Sequence, residues 1–155
     1  MRRLALGLTV LLLLSGCGSI PAPPPAVSPQ EQFWAKQAIV LLDGLDDALG
    51  RISAAGVGPS TLTNSSLLYA ALLGYTYIET CGAQLAHLGQ PSARELSASN
   101  QLHRACPHLR HATALFRRAV AEKSSAPLVT AASEALGTIP LLRKARVTLT
   151  PLAGD

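Results

Sequence analysis

Four side chains able to bind a metal, His103, Cys106, His108 and His111, fall within nine residues, and His87 stands one predicted helix upstream. Imidazole nitrogen and thiolate sulfur suit zinc or copper. The spacing serves that chemistry poorly. His108 and His111 can share a helical face, whereas His103 lies five residues before His108. Cys106 also has a rival use, because a cysteine oxidised to a disulfide with Cys81 cannot ligate. His103, His108 and His111 are therefore the remaining metal candidates. The sequence shows no other reaction centre: it has no Gly-x-Ser-x-Gly, Walker loop, Gly-x-Gly-x-x-Gly, His-Glu-x-x-His, Cys-x-x-Cys-His or Glu-x-x-His motif. Asp43, Asp46 and Asp47 cluster, but adjacent acids on an amphipathic helix form its solvated face. The expectation is a chain that is not an enzyme and needs no cofactor.

The remaining reactive side chain, Cys17, sits in a different context. Met1-Arg2-Arg3 is followed by the apolar run Leu4 to Leu14 and then by Ser15-Gly16-Cys17, which is the secretory order of basic, apolar and small-residue regions. A spanning helix needs about 20 apolar residues, so this run is too short to remain as an anchor. Leu14-Ser15-Gly16-Cys17 resembles the lipobox of bacterial lipoproteins, and the resemblance covers only the first 17 residues. It implies cleavage after Gly16, a diacylglycerol on the Cys17 thiol and acylation of the new amino terminus. Two or more acyl chains hold stably, at about 0.8 kcal/mol per buried methylene. The membrane, reached through the diacylglyceryl cysteine, is thus one expected partner. The expected location is the extracytoplasmic side of a bacterial cell envelope. Gly18 stands where the sorting rule of Gram-negative lipoproteins uses Asp for inner-membrane retention, which leaves the outer membrane or a Gram-positive cell membrane.

The elements follow from punctuation and period. Residues 1–16 read as a cleaved signal peptide and 17–29 as a linker. The stretch Ile20 to Pro29 holds five of the eleven prolines. This composition prefers polyproline II, and ten such residues at about 3.1 Å each make a spacer of roughly 30 Å; a Pro-rich docking peptide is the sharper alternative. Residues 30–147 read as a helical domain. Ser28-Pro29-Gln30-Glu31 predicts a capping box, and Trp34, Ala38, Leu41, Leu45, Ala48 and Ile52 recur at helical spacings until Gly56-Val57-Gly58-Pro59. Thr63 or Asn64 caps a second helix running to Leu88, apolar on nearly every face, with Gly89 as its stop. Such a helix is central in a bundle, and its Glu79 needs a partner or exposure. A third helix spans about Asn100 to Lys123 with a break or bend at Pro107. A fourth begins near Pro127, with interruptions at Gly137 and Pro140. Residues 148–155 read as an irregular tail, because Arg146-Val147-Thr148-Leu149-Thr150 has β-type composition without a pairing partner. The predicted fold is all-α, a small antiparallel bundle of about four helices.

In that hairpin of the second and third helices, Cys81 lies eight residues before Gly89 and Cys106 nine after Ser97, which brings them level. An exported even pair of cysteines predicts a disulfide.

Charge excludes one class of partner. Without Arg2 and Arg3, 11 basic side chains face 9 acidic ones, too small an excess to argue nucleic-acid binding. The excess lies in the C-terminal half, where residues 100–155 carry eight basic and three acidic groups, as solvated helices commonly do. The first expected role is a non-catalytic envelope module that binds a protein partner or supports an assembly. The second is a module for a lipid or other apolar small molecule, with a pocket beside Leu72, Tyr75 and Tyr77. The third is metal binding by the histidine segment.

Overall fold

Ser28 opens the first helix through the predicted reciprocal cap: its Oγ accepts the Glu31 N–H at 3.2 Å, while the Glu31 carboxylate accepts the Ser28 N–H at 2.8 Å. The structure, a computed structural model, describes residues 26–154, so the expected signal peptide, Cys17 and most of the expected linker lie outside the described residues. The described residues form helices and no strand. Seven helical segments follow in order: α1 (Pro29–Ala55), α2 (Pro59–Thr63), α3 (Ser65–Glu79), α4 (Cys81–His87), α5 (Leu96–Glu122), α6 (Ser125–Leu136) and α7 (Ile139–Ala153). Five of them have twelve residues or more. None is long and apolar enough to cross a membrane.

The predicted stripe of α1 is buried at all six positions, from Trp34 to Ile52. It packs against α3 and α7, while α5 packs against α3, α6 and α7. Many contacts are made by Ala, including Ala38, Ala48, Ala98, Ala105, Ala112 and Ala135, each buried. Small side chains let helices approach closely and bury area through backbone proximity rather than side-chain bulk. Gly74 carries this furthest. A Cβ there would meet the Ala48 carbonyl oxygen and Ile52 Cγ1, each at 2.7 Å. Gly74→Ala is expected to cost about 1–3 kcal/mol in a denaturant melt, even though Ala exceeds Gly in helix propensity by about 1 kcal/mol. Gly50→Ala, in open space on α1, should gain up to about 1 kcal/mol. A raised midpoint for Gly74→Ala would show that α1 and α3 do not touch in this way.

The structure departs from the sequence expectations in four places. The second helix is not continuous to Leu88: it divides at Thr80, whose Oγ1 donates to the Tyr77 carbonyl at 2.7 Å, and α4 follows. The third helix begins at Leu96 and runs through Pro107 without ending there. Pro107 and His103, whose carbonyl loses its α-helical donor, are both on the exposed side. The one-turn α2 was not foreseen; Pro59 starts it and the Thr61 hydroxyl donates to the Ala55 carbonyl at 2.9 Å.

The fourth correction concerns residues 148–155, which are no irregular tail: α7 continues to Ala153, and the helical domain therefore extends past 147. Leu142, Ala145, Leu149 and Ala153 recur at spacings of three and four and are all buried. The threonines that suggested a strand satisfy themselves on the helix, Thr148 donating to the Lys144 carbonyl and Thr150 to that of Arg146. Burial of a helical stripe outweighs β-type composition.

Candidate functional site

Cys81 and Cys106 are joined by a disulfide, their Cα atoms 5.3 Å apart. Cys81 opens α4 and Cys106 lies in the middle of α5, so the bond staples the two elements that the 88–95 connection already links. Both are buried, and Cys106 borders a groove of about 380 Å³ together with Glu79, His103 and Arg110.

The histidines divide. His108 Nδ1 lies 2.6 Å from Glu134 Oε1 and His111 Nδ1 lies 3.6 Å from the same oxygen, tying α5 to α6. His103 sits in the disulfide groove instead, and His87 is exposed at the end of α4. Among the described residues no group of three or more His, Cys, Asp or Glu is placed to hold a metal ion. The hydrogen bond from His108, and after it the neighbouring charges and His111, hold the Glu134 carboxyl below its ordinary value of 4.5. A carboxyl depressed in the folded state adds stability above its unfolded pKa, which is lost as pH falls through the folded value. We expect His108→Gln with His111→Gln to raise the Glu134 pKa toward its ordinary value in a carboxyl NMR titration. An unmoved titration would show that the α5–α6 contact is not populated in solution.

The proposed apolar-ligand residues do not share a space. Leu72 is 47% exposed. Tyr75 is buried with its ring stacked on Phe116, centroids 4.2 Å apart. Tyr77 covers Gly44, where any Cβ would overlap the phenol. Glu79 pairs with Arg117, as a charge at the end of that apolar helix must. The acids of α1 are used structurally: Arg146 of α7 bridges Asp43 and Asp46, each at 2.7 Å, and Arg51 pairs with Asp47. Arg146 lay in the strand-like run, and no spacing signal in the sequence points from it to Asp46, at a sequence separation of 100.

Two features of the described residues bear on function. One is the outer face of α3, where Tyr69, Leu72 and Leu73 are 60%, 47% and 39% exposed in a helix with no charge before Glu79. The other is a depression of about 420 Å³ at the start of α1, bordered by Glu31, Trp34, Ser92 and Glu95. Glu95 was not singled out from the sequence, because a lone Glu in a polar connection normally faces water. Neither feature carries a nucleophile with a base or a pair of carboxylates beside a reactive side chain. In comparisons with known proteins, no family model, no curated protein and no solved structure matches this chain, so its function is argued from its own side chains.

Proposed function

We propose that this chain is a lipid-tethered protein of the bacterial cell envelope. Its helical domain, an up-and-down antiparallel bundle, binds a protein partner rather than catalysing a reaction. The observation that carries the reading is the exposed face of α3. Tyr69, Leu72 and Leu73 lie at neighbouring positions on one side of the helix, and the adjoining Thr76 is exposed and uncharged. Aromatic and aliphatic side chains grouped in this way are what a protein interface buries at its centre.

Their position favours a protein over the bilayer. Gly74 packs against Ala48 and Ile52, at the end of α1 away from Ser28. At 1.5 Å per residue that is roughly 30 Å along α1 from the root of the spacer. An extended Pro-rich spacer between Cys17 and Ser28 would add to that separation from a membrane that anchors Cys17. The lipobox Leu14-Ser15-Gly16-Cys17 supports the tether.

Two measurements separate the two halves of the reading. Cys17→Ser should move the protein from the membrane to the soluble fraction; retention in the membrane defeats the tether. A photo-crosslinking residue at Leu72 should give a discrete adduct in cells that disappears with Tyr69→Asp. The same adduct from exposed Ala83 on α4 would defeat the face.

A further inference from the structure

Glu95 stands at the start of α5, and its side chain belongs among the core residues by burial, at 1% exposure. One oxygen, Oε2, accepts the Ser92 N–H at 2.7 Å. The other, Oε1, is buried and has no hydrogen-bond partner. A buried carboxylate oxygen without a donor forfeits its hydration and receives nothing in exchange. Such a group calls for a compensating donor or charge.

Glu95 borders the depression of about 420 Å³ at the root of the spacer, and the other walls supply matching chemistry. Glu31 contributes a second carboxylate. The Ser28 backbone N–H first, and also the Ser28 and Ser92 hydroxyls and Arg94, favour its charged form against the opposing effect of burial. Its Oε1 accepts from Ser92 Oγ at 3.1 Å and lies 3.9 Å from Arg94 Nε. Trp34 lines the same space, with its indole N–H directed to the Gly89 carbonyl at 3.4 Å. An aromatic ring beside acidic groups in a partly buried recess is suited to a cation, which gains from the ring quadrupole and from charge that water screens poorly. The size suits a small molecule, falling within the roughly 300–1,000 Å³ of ligand recesses.

We propose that this recess is a binding site for a small organic ammonium ion, recognised by Glu95 and Glu31 with Trp34 as its aromatic wall. The site is separate from the α3 face and does not depend on the role assigned to that face. Its ligand is defined by one primary or substituted ammonium group on a short apolar body, since the recess offers charge at one place and Trp34 and Pro91 at others.

Trp34 is the only tryptophan in the chain, so tryptophan emission comes from this recess and the core beneath it. The full-length chain, purified in detergent, is titrated with butylammonium chloride, with butanol as the neutral control and potassium chloride at matched ionic strength. Butylammonium should change Trp34 emission saturably with a Kd on the order of 1 mM, and butanol should give no saturable change. Glu95→Gln should weaken the binding at least tenfold with Glu31 and Trp34 retained. An equal response to butanol, no saturation with butylammonium, or unchanged affinity in Glu95→Gln each overturns the site. If Glu95→Gln fails to fold, the comparison of butylammonium with butanol on the wild-type chain decides it in either direction.

Discussion

Replacing Cys81 and Cys106 together by Ala is expected to lower the unfolding free energy by about 3.5 kcal/mol. The bond closes a loop with a sequence separation of 25, and the chain-entropy treatment assigns about that value to such a loop. The stabilisation acts on the unfolded chain, whose freedom the bond restricts, so the folded helices should keep their positions. For a domain of this size the loss corresponds to a fall of roughly 10 °C or more in Tm. Thermal melts of the oxidised protein, the reduced protein and the double variant measure it. Reduced wild type and double variant should melt together and well below the oxidised form. If all three melt alike, the bond is either absent from the folded protein or irrelevant to its stability.

Phe116→Ala should cost about 3–5 kcal/mol, the range for removing a buried aromatic side chain. Phe116 is 1% exposed and stacks on Tyr75, which is equally buried, so truncation opens a cavity at the junction of α3 and α5. Total stabilities of 5–15 kcal/mol are usual, and this single change consumes a large part of that range. The partner ring gives a result of opposite sense. Tyr75 Oη is buried without a hydrogen-bond partner, and burial pushes the phenol well above its ordinary range, so it stays neutral. Tyr75→Phe removes an unsatisfied polar atom while keeping the stack and should leave stability unchanged or slightly raised. Denaturant melts of the two variants make the comparison. A large loss in Tyr75→Phe would mean that the hydroxyl has a partner in solution.

Both expectations depend on contacts between α5 and the α3–α4 segment, and the sequence announced these contacts unequally. The cysteine pair was legible because it is even in number, in a chain whose opening reads as an export signal, and lies level in a helical hairpin. The Tyr75–Phe116 stack was not. Leu115 and Phe116 were equal candidates for the apolar side of their helix, and only the placement of α3 buries Phe116 while leaving Leu115 half-exposed. The histidine segment shows the same limit. His108 and His111 do share a face, as their spacing required, but what they face is Glu134, supplied by α6.

Determined by the sequence alone were those features whose causes are local. Ser28, Pro29 and Glu31 form a capping box within four residues, Gly56 ends α1 with φ +75, and the stripe from Trp34 to Ile52 finds the core because its period is helical. Tertiary structure alone decided the ends and the pairings. Arg146 to Thr150 has the composition of a strand, yet packing of Leu142, Ala145, Leu149 and Ala153 makes it helix, and Arg146 then meets Asp43 and Asp46 of α1. Glu95 became a buried, half-satisfied carboxylate only when the 88–95 connection folded against the start of α1. Local propensities amount to tenths of a kcal/mol per residue, whereas burying a side chain is worth one to three. The surface that each helix covers is therefore set by neighbours remote in the chain, and the candidate sites lie where that covering left apolar side chains exposed or a buried oxygen unpaired.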